Sequence, residues 1–144
     1  MKLVFQKNTP VIVSHSLLFI CSKIYGVLCG AMTIFPFIFV RDEKILANKE
    51  YMNHESIHLR QYMETLFFGM LIIGLFEYLY ALVFLKKNRL ELYYFMSHEQ
   101  EAHQNDQNLD YLKTRPWFSY FKYMDPKNKK NFILVDGKRV EKLK

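Results

Sequence analysis

The run FFGMLIIGLFEYLYALVFL, Phe67 to Leu85, is nineteen residues long and carries a single charge, Glu77. It separates two segments rich in metal-ligating side chains, NHESIHLRQ (Asn53 to Gln61) before it and SHEQEAHQND (Ser97 to Asp106) after it. This arrangement limits the possible folds more than any other feature. By length and content the run fits a transmembrane helix. Its twelve Leu, Ile, Phe and Val residues, at roughly −0.3 to −0.6 kcal/mol each, oppose roughly +3 kcal/mol for a central acid, so insertion is marginally favourable. Lys86, Lys87 and Arg89 would suit the cytoplasmic end of such a span. A single span, however, puts the two polar segments on opposite sides of the bilayer, where they cannot share an ion. If they do share one, the run is a buried core helix, a helical hairpin broken around Gly69 and Gly74, or an element dipping into one leaflet. In each case Glu77 faces protein and pairs with Arg60 or a lysine of the C-terminal tail.

The first polar segment contains H-E-x-x-H. On a helix, residues four apart share one face, so His54 and His58 can hand two imidazole nitrogens to one metal ion. Glu55 lies beside that face and can reach a water at the metal without being a ligand. A carboxylate so placed takes the water's proton as it attacks a carbonyl and returns it to the departing amine. A catalytic zinc site needs a third protein ligand and one open position. The second segment offers two carboxylates and two histidines within six residues, His98, Glu99, Glu101 and His103, on a second predicted helix. Two surface histidines on an ordinary amphipathic helix are the competing explanation, and the downstream cluster weighs against it.

H-E-x-x-H followed by a helix bearing E-x-x-A-(D/N) resembles the gluzincin metallopeptidases, among them the CAAX-prenyl-protease and heat-shock membrane peptidase group and the β-lactam-sensor peptidases. HESIH supplies the first part and EQEAH, Glu99 to His103, the second. Aligning the alanine on Ala102 implies Glu99 as the third zinc ligand. Glu101 is the alternative metal ligand; it points roughly 160° away around the helix, so only one of the two faces the metal. His103 stands where the family has Asp or Asn and can support a ligand histidine. The stretch from about Met32 to Tyr123 is also similar to small bacterial proteins sharing TxFPFIF, HExIHxRQ, EYL and FExEAxxN elements. Here these are TIFPFIF, HESIHLRQ with Glu64, EYL at Glu77 to Leu79, and HEQEAHQN. By this resemblance GAMTIFPFIFV, Gly30 to Val40, lines the substrate cleft or serves as a buried structural strand. Gln61, one turn past His58, borders the site. His98, Tyr93 and Tyr94 are candidates for binding a substrate oxyanion, and His15 is read as structural.

The remaining chain fits an α+β domain, mainly helical, over residues 1–125, with a basic tail over 126–144. Pro36 within a β-branched and aromatic stretch argues for an extended segment at a sheet edge. Arg41 to Glu50 reads as a turn or polar loop, with a helix from near Glu50 onward. After a polar KKNRLE turn, Ser97 is a plausible N-cap for a helix ending near Arg115-Pro116. WFSYFKYM then packs back on the body. Residues 127–144 hold seven Lys or Arg against two acids, so most of the formal charge of +6 belongs to the tail. A solvated, loosely ordered tail is the simplest reading, and contact with anionic lipid is the partner reading. Nucleic-acid binding has little support, since the basic residues lack a stacking platform or reader motif. Cys21 and Cys29 read as small buried thiols. No cleavage site follows the N-terminal apolar stretch, which Lys23 interrupts, so the expected location is cytoplasmic or membrane-associated. The expected activity is zinc-dependent hydrolysis of a peptide or protein substrate. The alternative is a non-catalytic, zinc-stabilised, membrane-associated binding module.

Overall fold

The computed structural model describes residues 1–6, 8–25, 28–135 and 138–142. It is an α+β fold, mainly helical, with one four-stranded sheet built from the first forty residues. Strand β1 (Lys2–Gln6) pairs antiparallel with β2 (Thr9–Val13). Helix α1 (His15–Tyr25) then carries the chain to β3 (Ala31–Ile34) and β4 (Phe37–Val40). β4 runs parallel to β2 and antiparallel to β3, giving the order β1-β2-β4-β3 with β3 at an edge. The segment expected as one extended piece is therefore a tight hairpin, with Pro36 in the turn where no ladder donor is required.

Arg41 to Glu50 is not a loop. Asp42 accepts the backbone N–H groups of Lys44 and Ile45 and starts α2 (Glu43–Ala47). Asn48 accepts those of Glu50 and Tyr51 and starts α3 (Lys49–Glu64). Side-chain caps at both sites supply the helix start signals that overrode the polar composition. Met52 of α3 packs on Val11, Ile38 and Val40 of the sheet, with Ile45, Leu46 and Leu59 around them. Each such side chain contributes about 1.5–3 kcal/mol of burial, enough to hold α3 firmly against the sheet.

The chain turns sharply after α3. Leu66 and Phe67 take positive φ values of 50° and 68°, and α4 (Gly69–Val83) leaves at 105° to α3. Thr65 secures this corner by accepting from the Met70 N–H at 3.0 Å. A Cβ at Gly69 would stand 2.9 Å from the Thr65 Cβ, so only glycine fits there. The break thus falls just before Gly69, while Gly74 lies inside the helix. Among the described residues no single helix is long and apolar enough to cross a membrane; α3 and α4 pass on length and composition only as a bent pair. Nor is α4 a buried core helix: only Met70, Gly74 and Ala81 are buried, and its outer face is apolar and exposed.

The expected KKNRLE turn closes into a capping box between Asn88 and Glu91, which starts α5 (Arg89–Phe95). Helix α6 (Ser97–Asn105) follows after a kink at Met96. Ser97 is its first residue and does not cap it. Glu77 of α4 does so from outside, accepting the Ser97 N–H at 2.8 Å and the Ser97 hydroxyl. A carboxylate at a helix N-terminus is favoured by the exposed amide donors there. Helix α6 ends well before Arg115, and a separate short α7 (Tyr111–Thr114) stops at the expected proline. The aromatic segment forms a 3-10 turn (Ser119–Met124) that buries Tyr120 and Tyr123.

The tail is not loose where it is described. Lys129 reaches Glu77 at 3.0 Å, so Glu77 pairs with a tail lysine as expected, while Arg60 instead stacks on Trp117 at 4.2 Å. Gln100 accepts the Lys130 N–H at 2.8 Å. Strands β5 (Phe132–Val135) and β6 (Lys138–Glu141) then form a hairpin that brings Arg139 onto α6. Part of the tail, residues 136, 137, 143 and 144, lies outside the described residues. Cys21 and Cys29 are half-buried thiols, less enclosed than expected.

Candidate metal centre

Helix α3 places His54 and His58 on its inner face, and α6 brings Glu99 against them. The two Nε2 atoms stand 3.1 Å apart. Glu99 sets Oε2 3.5 Å from His54 and Oε1 3.5 Å from His58. Ligands held about 2.0–2.1 Å from a tetrahedral metal are separated by roughly 3.3 Å. The 3.1 Å between the ring nitrogens and the 3.5 Å from each of them to one of the two Glu99 oxygens are near that spacing, so these residues form a donor triangle. All three residues are buried, at 6–8% exposure. Glu99 Oε2 and His103 Nε2 face each other at 3.5 Å, both buried and neither with a hydrogen-bond partner among the described residues. Buried polar atoms in proteins are nearly always satisfied, so unsatisfied atoms beside a ready donor triangle fit a cation.

Each imidazole is oriented from behind. Gln61 Oε1 lies 2.7 Å from His58 Nδ1 and accepts its proton in the tautomer that leaves Nε2 free for the centre. Asp106 Oδ2 faces His54 Nδ1 at 3.5 Å, an electrostatic contact on the far side of that ring. Arg139 holds Asp106 with two bonds of 2.6 and 3.0 Å and also touches His103. A second set of potential ligands, His54, His103 and Asp106, lies close enough to share an ion. There the Arg139 guanidinium already matches the Asp106 charge, which leaves the triangle with Glu99 as the better cation site.

Glu101 faces elsewhere. It accepts from Arg115 Nε at 2.8 Å and Nη2 at 3.0 Å, from Tyr111 at 2.7 Å and from Gln61 at 2.7 Å. Glu64 takes the other side of the same guanidinium, with Nη2 to Oε2 at 3.0 Å. Glu99 and Glu101 thus lie on different faces of α6, one in the donor triangle and one in a closed ion network. Gln61 joins the two, since its oxygen holds His58 and its amide nitrogen holds Glu101.

Glu55 lies beside the triangle, 4% exposed, and accepts a 2.6 Å bond from the Thr33 hydroxyl of edge strand β3. His98 sits at the start of α6 with Nε2 3.8 Å from Glu99 Oε1. A Cβ at Gly74 would come 3.1 Å from its ring, so this glycine lets His98 pack against α4. The Tyr93 ring packs against His103 with 5.7 Å between centroids, close enough to Glu99 to feel its charge. His15 is exposed on α1 and outside the site.

Burial alone would keep His54 neutral, yet bonds to Asp106 and Glu99 raise its pKa to about 10. His58 is raised as well, chiefly by Glu99 acting against burial. Burial would raise Glu99, but His58 and His54 hold it well below the usual carboxylate range. Burial lowers His98 and His103 to about 4, reinforced by the charges on His58 and His54 respectively. Burial also pushes the Tyr93 phenol well above its usual value, so it remains a hydrogen-bond donor. The pattern is that of a buried cluster short of positive charge at its middle. A proton on His54 supplies one unit, and a divalent ion in the triangle would supply two.

The structure thus gathers His54, His58, Glu99, Glu55, His98, His103 and Gln61 in one place and turns Glu101 away from the histidines onto Arg115, with Gln61 touching both sides. Three residues escaped the sequence analysis. Asp106 had a signal, because Glu99, His103 and Asp106 follow the i, i+4, i+7 spacing of one helix face. Thr33 and Arg139 had none, since strand pairing and hairpin docking bring them in from distant sequence. Comparison of the chain with protein-family models, with curated proteins and with solved structures gives no match to any of them.

Proposed function

We propose that this chain is a zinc-dependent metallopeptidase of the gluzincin type. The observation that carries the reading is the donor triangle of His54, His58 and Glu99 with Glu55 held beside it by Thr33. Two imidazole nitrogens, neutral once a metal takes the place of the proton, and one carboxylate suit zinc, and His₂Glu is a common catalytic set. A zinc ion bound there supplies Lewis acidity toward a peptide carbonyl and makes a water acidic enough to be deprotonated near neutral pH. Glu55 accepts the proton of the attacking water and returns it to the leaving nitrogen. The Thr33 hydroxyl fixes which carboxylate oxygen is free to do so, since Oε2 is occupied. Tyr93 and the neutral His98 stand at the Glu99 side of the centre, where either can donate to the developing carbonyl oxyanion.

Replacing Glu55 with Gln tests the assignment. The variant is expected to keep the metal content of the wild type and lose cleavage of a peptide library. Retained turnover in Glu55→Gln, or no cleavage by the zinc-loaded wild type, would overturn it. The low exposure of the three ligands favours one other reading, a zinc-stabilised module with no turnover. That protein would lose thermal stability on chelation and cleave nothing.

A further inference from the structure

The outer face of α4 is the largest feature that the metal centre leaves unused. Leu71, Ile72, Leu75, Phe76, Leu79, Tyr80, Leu82 and Val83 are all exposed. At 100° per residue they cover an arc of roughly 180° of the helix. No charge interrupts this arc, because Glu77 is turned inward onto Ser97 and Lys129. The patch continues past both ends of the helix. Leu66 and Phe68 before it and Phe84 after it are 71–80% exposed. Leu66 and Phe67 hold this corner in left-handed backbone that large side chains disfavour. An apolar groove of about 310 Å³, lined by Ile34, Phe35, Tyr62, Phe67, Phe68 and Leu71, opens beside it. Soluble surfaces rarely carry a contiguous apolar area of this kind without a partner.

We propose that α4 and the corner before it seat in one leaflet of an anionic membrane. The charge beside the patch selects this occupant. Lys86 and Arg89 are exposed directly after α4, with Lys87 between them. The next acid, Glu91, is turned into the Asn88 cap. Anionic headgroups complement that basic end while the apolar arc enters the acyl layer, the arrangement of an interfacial helix. A second copy of the chain fits less well: its matching face would offer Lys86 and Arg89 no carboxylate, and one packed helix would not cover so wide an arc. Crossing the bilayer is not required, since fifteen residues of helix extend only about 22 Å, short of the roughly 30 Å hydrocarbon core.

The test is co-sedimentation of the full chain with phosphatidylcholine vesicles, with and without phosphatidylserine, at several salt concentrations. Binding is expected with phosphatidylserine and should weaken as salt rises. The exposed changes Phe68→Asp and Phe76→Asp should leave the melting temperature unchanged and each reduce binding by about tenfold or more. Lys86→Gln and Arg89→Gln should each cost about fivefold, on anionic vesicles only. Equal binding by Phe76→Asp would overturn the proposal. So would a wild type that ignores vesicles and is instead a dimer dispersed by Phe76→Asp. Neither readout depends on metal or turnover, so failure here leaves the metallopeptidase reading standing.

Discussion

Two buried polar clusters share the interface between α3 and α6, and only one of them is closed around a permanently charged side chain. In the first, Arg115 lies between Glu64 and Glu101, with all three side chains at 0–1% exposure. Tyr111 and Gln61 donate to the remaining carboxylate lone pairs. In the second, His54, His58 and Glu99 converge with no other described side chain closing the set, and Glu99 Oε2 and His103 Nε2, 3.5 Å apart, make no short hydrogen bond among the described residues. The same two helices therefore carry a completed ion network and a set of donors shaped for a guest. Completeness separates a cluster that holds the fold from one suited to bind something, even though both are buried.

The largest effect should come from emptying the completed cluster. Arg115→Ala leaves two buried carboxylates unpaired and is expected to destabilise the protein by about 3–5 kcal/mol. Urea denaturation with and without zinc measures it; a loss below 1 kcal/mol by the same scale would mean the two clusters do not differ in the way described. Next comes filling the open cluster. Zinc at a hundredfold excess over its Kd should stabilise the wild type by about 2.7 kcal/mol, and Glu99→Ala should abolish that gain. Glu101→Gln should keep the zinc-dependent rise in melting temperature, and a variant that lost it would reverse the roles given to the two glutamates. Gln61→Ala touches both clusters. Calorimetric titration should show zinc affinity falling by about 10–100-fold as His58 loses its orienting partner. The smallest change, Asn48→Ala, removes the cap of α3 and should cost about 1 kcal/mol in denaturant melts while leaving zinc stoichiometry unchanged.

Local elements with strong helical or β signals were legible in the chain. The helix through H-E-x-x-H, the β character on either side of Pro36 and the aromatic turn packed on the body all followed from residue type and short-range spacing. Elsewhere a side chain from distant sequence intervenes, or a polar stretch carries its own caps. Asp42 and Asn48 turn a polar loop into one short helix and the start of the next. Glu77 rather than Ser97 caps α6, because a helix terminus accepts any well-placed carboxylate, including one twenty residues away. The tail looked solvated by composition, but Lys129 and Arg139 each face a partly buried carboxylate, Glu77 and Asp106. Charge counts do not show which charges will find partners.

The chain by itself placed His54 and His58 on one helical face, because a 3.6-residue turn puts positions four apart side by side whatever surrounds them. It also placed Glu99, His103 and Asp106 along one face of α6, and Glu101 across from them. Which of those faces meets α3 was a tertiary decision. It was made by the buried Arg115, which draws Glu101 to its own side together with Glu64 and thereby turns Glu99 toward the histidines. The fate of the apolar run was decided in the same way. Its hydropathy fits a span as well as a core helix, and only the corner at Thr65 and the inward pairing of Glu77 leave α4 lying on the protein with one face uncovered.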